Sequence, residues 1–365
     1  MRVLLLSPYG ANVNPYIRLF RDGLAAAGAQ VEESRALAAG QLSGAARPDV
    51  VHLHWLEGLN LPPPVRVRGA RRMLNSRPIY EMRRWAGSAA LLRQLLAFQE
   101  AGGCVATTVH NLDPHEGGGP ADRWALAALL RRARVVHVHD ASTAAEIGRR
   151  FGRSAGVTVI PHGHYLSAYP NQVSRDAARD LLGLPPDAFV YVCLGLLRPY
   201  KGLEELLPAF RKLEGEKLRL LVAGRPKSAS YAERLAALAA GDARIRLEPR
   251  FVPVDEVQQY LNAADVAVLP YRQTTASGAA LLAFSFGLPV IAPAIGAFPN
   301  LVAAGRGILY EAGQLSQAMA DAPARSWTGA SASILAWVRQ FDWEEIGRRL
   351  VAAYRDDQPA GPHAI

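Results

Sequence analysis

Cysteine is scarce. The chain of 365 residues has two, Cys104 and Cys193, each inside a strand-like apolar run ("CVATTV", "FVYVCLGLL"). Two cysteines cannot staple a fold of this length, and both read as reduced core residues of a cytoplasmic protein. Long hydrophobic runs are missing too: none approaches the ~20 residues that span a bilayer. The opening "MRVLLLSPYG" has too short an apolar stretch for a secretion signal and reads as a first strand. Neither observation excludes attachment to a membrane surface. There is no Asp-x-Asp triplet, so the obvious carboxylate motif for a metal on a diphosphate is lacking. Solenoid repeats and low-complexity tracts are absent. No nucleic-acid-binding module is recognisable, and the aromatics form no repeated stacking pattern.

What is present is a globular composition, 50% hydrophobic and 20% charged, at a length that suggests two domains. Lys and Arg number 41 against 32 Asp and Glu, a formal charge of +9. A basic balance points to an anionic partner. The excess is concentrated. Between Arg66 and Arg93 there are eight Arg and one acid, Glu81. The segment "RVRGARRMLNSRPIYEMRRWAGSAALLRQLLAF" interleaves them with Met, Leu, Tyr, Trp and Phe. Such a stretch suits an anionic membrane face, at which the protein is expected to be peripheral on the cytoplasmic side. A solvated basic helix with its apolar stripe in the core is the plain alternative.

Strand-like runs alternate with helical patterns. "RVLLLS" precedes a helix in which Ile17, Phe20, Leu24 and Ala27 share a face and which Gly28 stops. "VVHLHW", "CVATTVH", "VVHVHD" and "VTVIPHGHY" follow. A second series begins at "FVYVCLG" and continues through "LRLLVAG", "RIRLEP", "DVAVLPY" and "PVIAP". Short continuous apolar strands separated by helices predict α/β domains with parallel sheets covered on both faces. The expected division is an acceptor-binding domain over 1–168, a linker over 169–187, a nucleotide-sugar domain over 188–338, and a tail over 339–365. The amphipathic helix "FDWEEIGRRLVAAYRDD" in that tail is able to pack on either domain.

Ligands of such sheets bind beyond the carboxyl ends of the strands. "CLGLLRPYKGLEELLPAF" therefore draws the eye. Gly195 closes a strand, Arg198 and Lys201 follow, and Gly202 opens a helix. A guanidinium, an ammonium and free helical N–H groups together suit a diphosphate. "LPYRQTTASGAALLAFSFGLPVIA" offers a second loop of this kind, with Tyr271 and Arg272 at a strand end and Ser277 and Gly278 at a helix start. Gly278 permits close backbone approach, and Ser277 caps the helix, donates to a phosphate, or does both. In "PHGHY", His162 and His164 either touch a donor ligand or form a structural hinge around Gly163.

These strings, with "AGRP", resemble the donor-binding half of GT-B glycosyltransferases. "NVNPYIRLF", "DVVHLHWLEG", "TTVHNLDPHE" and "IPHGHY" narrow the resemblance to family 94, the β-mannosyltransferases of xanthan-type polysaccharide assembly. It runs from about Asn12 to Pro293. It implies a GT-B fold, two Rossmann-like doubly wound domains facing a central cleft. It also implies a GDP-mannose donor, inversion at the anomeric carbon, and a polyprenyl-diphosphate-linked oligosaccharide acceptor ending in glucuronic acid. No cofactor is implied beyond the nucleotide-sugar substrate, and no nucleic acid. Retaining GT-B enzymes of the large family 4 carry two glutamates at positions matching Thr274 and Leu282 here. Their absence is compatible with an inverting enzyme.

Inverting transfer needs a base for the acceptor hydroxyl and something to neutralise the leaving diphosphate. Arg198, Lys201, the Ser277–Gly278 helix start and Arg272 are the expected cations and dipoles, without a metal. Glu57 is the first candidate base and Glu116 the second. Asp113 and His115 share the loop of Glu116, and each of these acids also suits a turn or cap. His110 matches a histidine that contacts the donor sugar in related enzymes. His52 and His54 alternate on one strand face and read as a satisfied structural pair. The nucleotide base pocket is expected near Arg250–Val254. Three other readings stay open: transfer from a UDP-sugar, a sugar-nucleotide epimerase of the same architecture, and a non-catalytic nucleotide-binding scaffold.

Overall fold

The computed structural model describes residues 1–11, 14–59, 76–112, 119–274, 277–303 and 305–356. It forms two compact units, Met1–Gly163 with Phe341–Ile365, and His164–Gln340. Each contains a six-stranded, wholly parallel sheet. The fold is the expected pair of Rossmann-like α/β units.

In the first unit the strands are β1 (Arg2–Leu6), β2 (Gln30–Ser34), β3 (Val50–His54), β4 (Cys104–Thr108), β5 (Val135–Val138) and β6 (Val157–Val159), in the order β2-β1-β3-β4-β5-β6. β3 and β4 are buried along their whole length, as central parallel strands must be. The helix Pro15–Ala26 starts because the Asn14 side chain accepts from the Tyr16 N–H and Pro15 has its φ preset for a first turn. It buries Ile17, Phe20 and Leu24. The tail helix Trp343–Arg355 packs on it through two glycines. A Cβ on Gly347 would lie 2.0 Å from the Gly23 carbonyl oxygen. Tyr354 then reaches His52 (2.6 Å), and Arg134 donates to the Tyr354 carbonyl (2.7 Å).

The second unit contains β7 (Phe189–Leu194), β8 (Leu218–Ala223), β9 (Ile245–Glu248), β10 (Val266–Val268), β11 (Val290–Pro293) and β12 (Gly307–Tyr310), ordered β12-β11-β10-β7-β8-β9. This is the doubly wound order in which the chain reverses direction between β7 and β10. The stretch around 175–181 is a helix of this unit. Its Arg179 is 2% exposed and pairs with Asp265 (2.9 Å), whose carboxylate also accepts from the Val190 N–H (2.7 Å). No helix among the described residues is long and apolar enough to cross a membrane.

Candidate functional site

The reversal between β7 and β10 brings two loops together. Gly195 leaves β7 at φ 124°, and a single turn Pro199–Lys201 leads to Gly202 at φ 69°, which opens the helix Leu203–Arg211. Glycine is required at 202 twice over. The left-handed φ disfavours a side chain, and a Cβ would sit 1.9 Å from the Pro270 carbonyl oxygen after β10. The Arg272 N–H donates to the Tyr200 carbonyl (2.8 Å) and ties the loops further.

Lys201 is 9% exposed. Its ammonium lies over the Tyr271 ring, 5.3 Å from the centroid, and 3.2 Å from where a Cβ on Gly195 would be. Gly195 thus makes room for the cation. Among the described residues no carboxylate pairs with it, although a buried charge ordinarily demands one. Arg198 is half-buried, and its guanidinium donates to the carbonyls of Leu197 (3.3 Å) and Arg225 (3.5 Å). The first-turn Glu204 is already engaged, by the Tyr231 hydroxyl (3.0 Å) and Arg234 (3.2 Å). Ser277 is buried and caps the helix Gly278–Ser285, accepting from the Ala280 N–H (3.2 Å), which leaves its hydroxyl hydrogen to donate elsewhere. Arg272 is exposed. Near the expected base pocket Arg250 is held by Glu248 (3.1 Å) and Glu256 (2.6 Å), while Phe251 is 63% exposed. His164 belongs to this unit, next to Tyr165, whose N–H donates to Ser285 Oγ (2.9 Å).

In the first unit the chain reverses between β1 and β3. Glu57 sits in the short helix Leu56–Leu59 directly after β3, half-buried, and burial raises its carboxyl above the ordinary range. That direction suits a base poised closer to neutral pH. Gly58 lies so close to Pro8 that a Cβ would be 2.6 Å from the proline ring, which joins the loops after β1 and β3. Trp55 adopts φ 48°, the positive-φ non-glycine residue of the described chain, and stacks on His110 (3.9 Å between centroids, 9° between planes). A left-handed tryptophan is strained, and such strain collects at functional sites. Glu116, Asp113 and His115 lie outside the described residues.

The sequence reading missed a shell of imidazoles around Tyr16. His162 (4.8 Å), His110 (5.0 Å), His54 (5.7 Å) and His139 (5.9 Å) all lie against its ring. The signal was legible in "VVHVHD", which repeats the alternation of "VVHLHW" on β5, one strand removed from β3 across β4. The supposed satisfied pair is half that. His52 uses both ring nitrogens, on Tyr354 and on Thr108 Oγ1 (2.7 Å). His54 uses Nδ1, on His110 Nε2 (3.0 Å), and its Nε2 has no partner.

Burial depresses every one of these imidazoles, His137 and His162 to about 4. Unfolding returns them to about 6.5, so the unfolded chain binds more protons between those values and stability falls as pH drops through that window. His137 alone should lower unfolding free energy by about 2 kcal/mol between pH 7 and pH 5. Urea unfolding at the two pH values checks this. A midpoint that does not move would contradict a neutral buried shell.

Residues 188–328 match the family model of the glycosyl transferases group 1. Along the sequence, a GDP-mannose:glycolipid 4-beta-D-mannosyltransferase of Xanthomonas campestris pv. campestris is 29% identical, over 93% of this chain and 87% of that protein. Among solved structures, sucrose-phosphate synthase from Thermosynechococcus elongatus superposes with a TM-score of 0.71 at 19% identity, covering 97% of this chain and 98% of the other. Anabaena HepE in complex with UDP and glucose gives 0.69 at 17%, covering 96% and 98%. The chain is a glycosyltransferase of the GT-B fold, a hexosyltransferase. Within that class it resembles the family 94 β-mannosyltransferases, as its motifs implied.

Proposed function

We propose that this enzyme transfers mannose from GDP-mannose, with inversion and without a metal, to a polyprenyl-diphosphate-linked oligosaccharide ending in glucuronic acid. The observation that carries the donor half is the buried ammonium of Lys201, unpaired by any described carboxylate, beside Arg198 at the reversal point of the second sheet. Negative charge grows on the leaving diphosphate, and fixed cations meet it without reorganisation. Ser277 and Arg272 extend the same cradle. Guanosine and mannose are supported by the Xanthomonas relative, which matches along nearly the whole chain.

Glu57 acts as the base that takes the acceptor hydroxyl proton, with Glu116 as the second candidate. His110 contacts the sugar. Thr274 and Leu282, neutral where retaining relatives carry glutamates, support a single displacement. Membrane contact runs through the helices Arg77–Glu100 and Pro120–Arg132. Met82 (62% exposed), Trp85 (38%) and Trp124 (41%) face out from them, with Arg77, Arg93 and Arg123 also exposed. The two tryptophan rings lie 5.1 Å apart. Exposed apolar side chains and exposed arginines on the same two helices suit the headgroup region of an anionic bilayer at the cytoplasmic face.

Presenting GDP-mannose, UDP-glucose and UDP-glucuronic acid in turn, with EDTA, tests the reading. The acceptor is supplied in anionic or neutral vesicles or omitted. Acceptor-dependent release of GDP is expected. UDP release alone would move the donor assignment, and interconversion without acceptor would make the protein an epimerase. Nucleotide binding without release would make it a scaffold. Equal association with both vesicle types would count against the basic membrane face.

A further inference from the structure

The imidazoles of the first unit form two layers along the strands. In the lower layer every ring nitrogen is used. His52 bonds Tyr354 and Thr108, and His137 bonds Thr108 Oγ1 (2.9 Å) and the Ile160 carbonyl (2.9 Å). Two residues further along the chain stand His54, the last residue of β3, and His139, just past the end of β5. His54 is fully buried and His139 is 9% exposed. Among the described residues neither nitrogen of His139 makes a well-formed hydrogen bond, the nearby Ile160 carbonyl being taken by His137, and Nε2 of His54 has no partner. Both residues lie toward the carboxyl edge of the sheet, the edge at which such folds bind ligands. His110 lies next to both: it bonds His54, and its ring is 5.7 Å from that of His139.

A buried polar atom without a partner destabilises a fold. Three in one layer, directly above a layer with none, are not explained by packing. The rings are also neutral, because burial holds each of them well below the ordinary imidazole range. A neutral imidazole presents one N–H donor and one lone pair. That pairing matches a hydroxyl, which donates and accepts in the same way. It does not match a phosphate, whose charge calls for cations.

We propose that His139 and His54, flanking His110, form a subsite that hydrogen-bonds the hydroxyl groups of an uncharged sugar ring. The subsite rests on the hexosyl-transfer reading, and the ring it holds belongs to the donor or to the acceptor. Charge separates the two chemistries: neutral imidazoles suit hydroxyls, and cationic side chains suit a diphosphate.

His139→Phe tests this. Phenylalanine keeps a planar ring and removes two unsatisfied nitrogens, so the melting temperature should hold or rise. The kcat/KM for transfer should fall at least 30-fold, since a site built to bond a hydroxyl discriminates strongly once the bond is lost. Affinity for free GDP should not change. Weaker binding of GDP-mannose then assigns the ring to the donor. Unchanged donor binding with a raised acceptor KM assigns it to the acceptor. His139→Asn, which retains one donor and one acceptor, should recover part of the rate, and it decides by the same measurements if the Phe variant does not fold. A kcat/KM within twofold of wild type, or a melting temperature that falls along with activity, would overturn the subsite. Absence of transfer by the wild-type enzyme would instead overturn the reading on which it rests.

Discussion

Lys201→Ala lowers kcat for hexosyl transfer about 10²–10³-fold, the scale for losing one preorganised donor aimed at developing charge. Arg198→Ala acts in the same direction. An ammonium that is 9% exposed and has no carboxylate partner among the described residues is costly to keep. The fold nevertheless builds a place for it. Gly195 leaves the space, Tyr271 offers a ring face, and Gly202 lets the turn press against Pro270. Removing Lys201 orphans no counter-charge, so the melting temperature should stay close to wild type while turnover collapses. A Lys201→Ala enzyme with wild-type kcat would detach the cation from the chemistry.

Glu57→Gln removes turnover by about 10²–10⁴-fold and leaves the affinity for GDP intact. The amide keeps the shape of the side chain and cannot take a proton. Because burial raises the Glu57 carboxyl, it becomes protonated at a higher pH than an exposed glutamate. The wild-type rate should therefore decline on the acid side at a higher pH than an exposed glutamate would give, and any residual rate in the variant should lack that limb. Rate against pH for both proteins, with GDP titration as the control, decides. Wild-type turnover in Glu57→Gln would remove Glu57 from the role.

Much of the architecture was legible because central parallel strands are continuous apolar runs. "VVHLH" and "CVATT" announce themselves, since both faces are covered. The sheet edges were not legible. β2 reads "QVEES", with its residues half or fully exposed, and looks like a loop when taken alone. β12, "GILY", is four residues long, and Leu309 in it is 36% exposed. The helix Arg175–Leu181 is hard to see in the sequence because its surroundings are polar and contain prolines. What orders it is the pairing of Arg179 with Asp265, remote in sequence.

At the site, Arg198 and Lys201 could be picked out from charge and glycine placement. The burial of Lys201 could not, because it depends on Tyr271 from the loop after β10, far along the chain. The imidazole shell was hidden for the same reason. Alternation on one strand shows that His52 and His54 share a face, but only the pairing of β3 with β4 and of β4 with β5 brings His137 and His139 alongside.

A crystal structure with GDP bound tests the central claim most directly. The account predicts diphosphate oxygens at about 2.7–2.9 Å from the Lys201 ammonium and the Arg198 guanidinium, the length of a charge-assisted hydrogen bond. A nucleotide whose phosphates lie away from the loops after β7 and β10, with Lys201 still resting on Tyr271 alone, would contradict it.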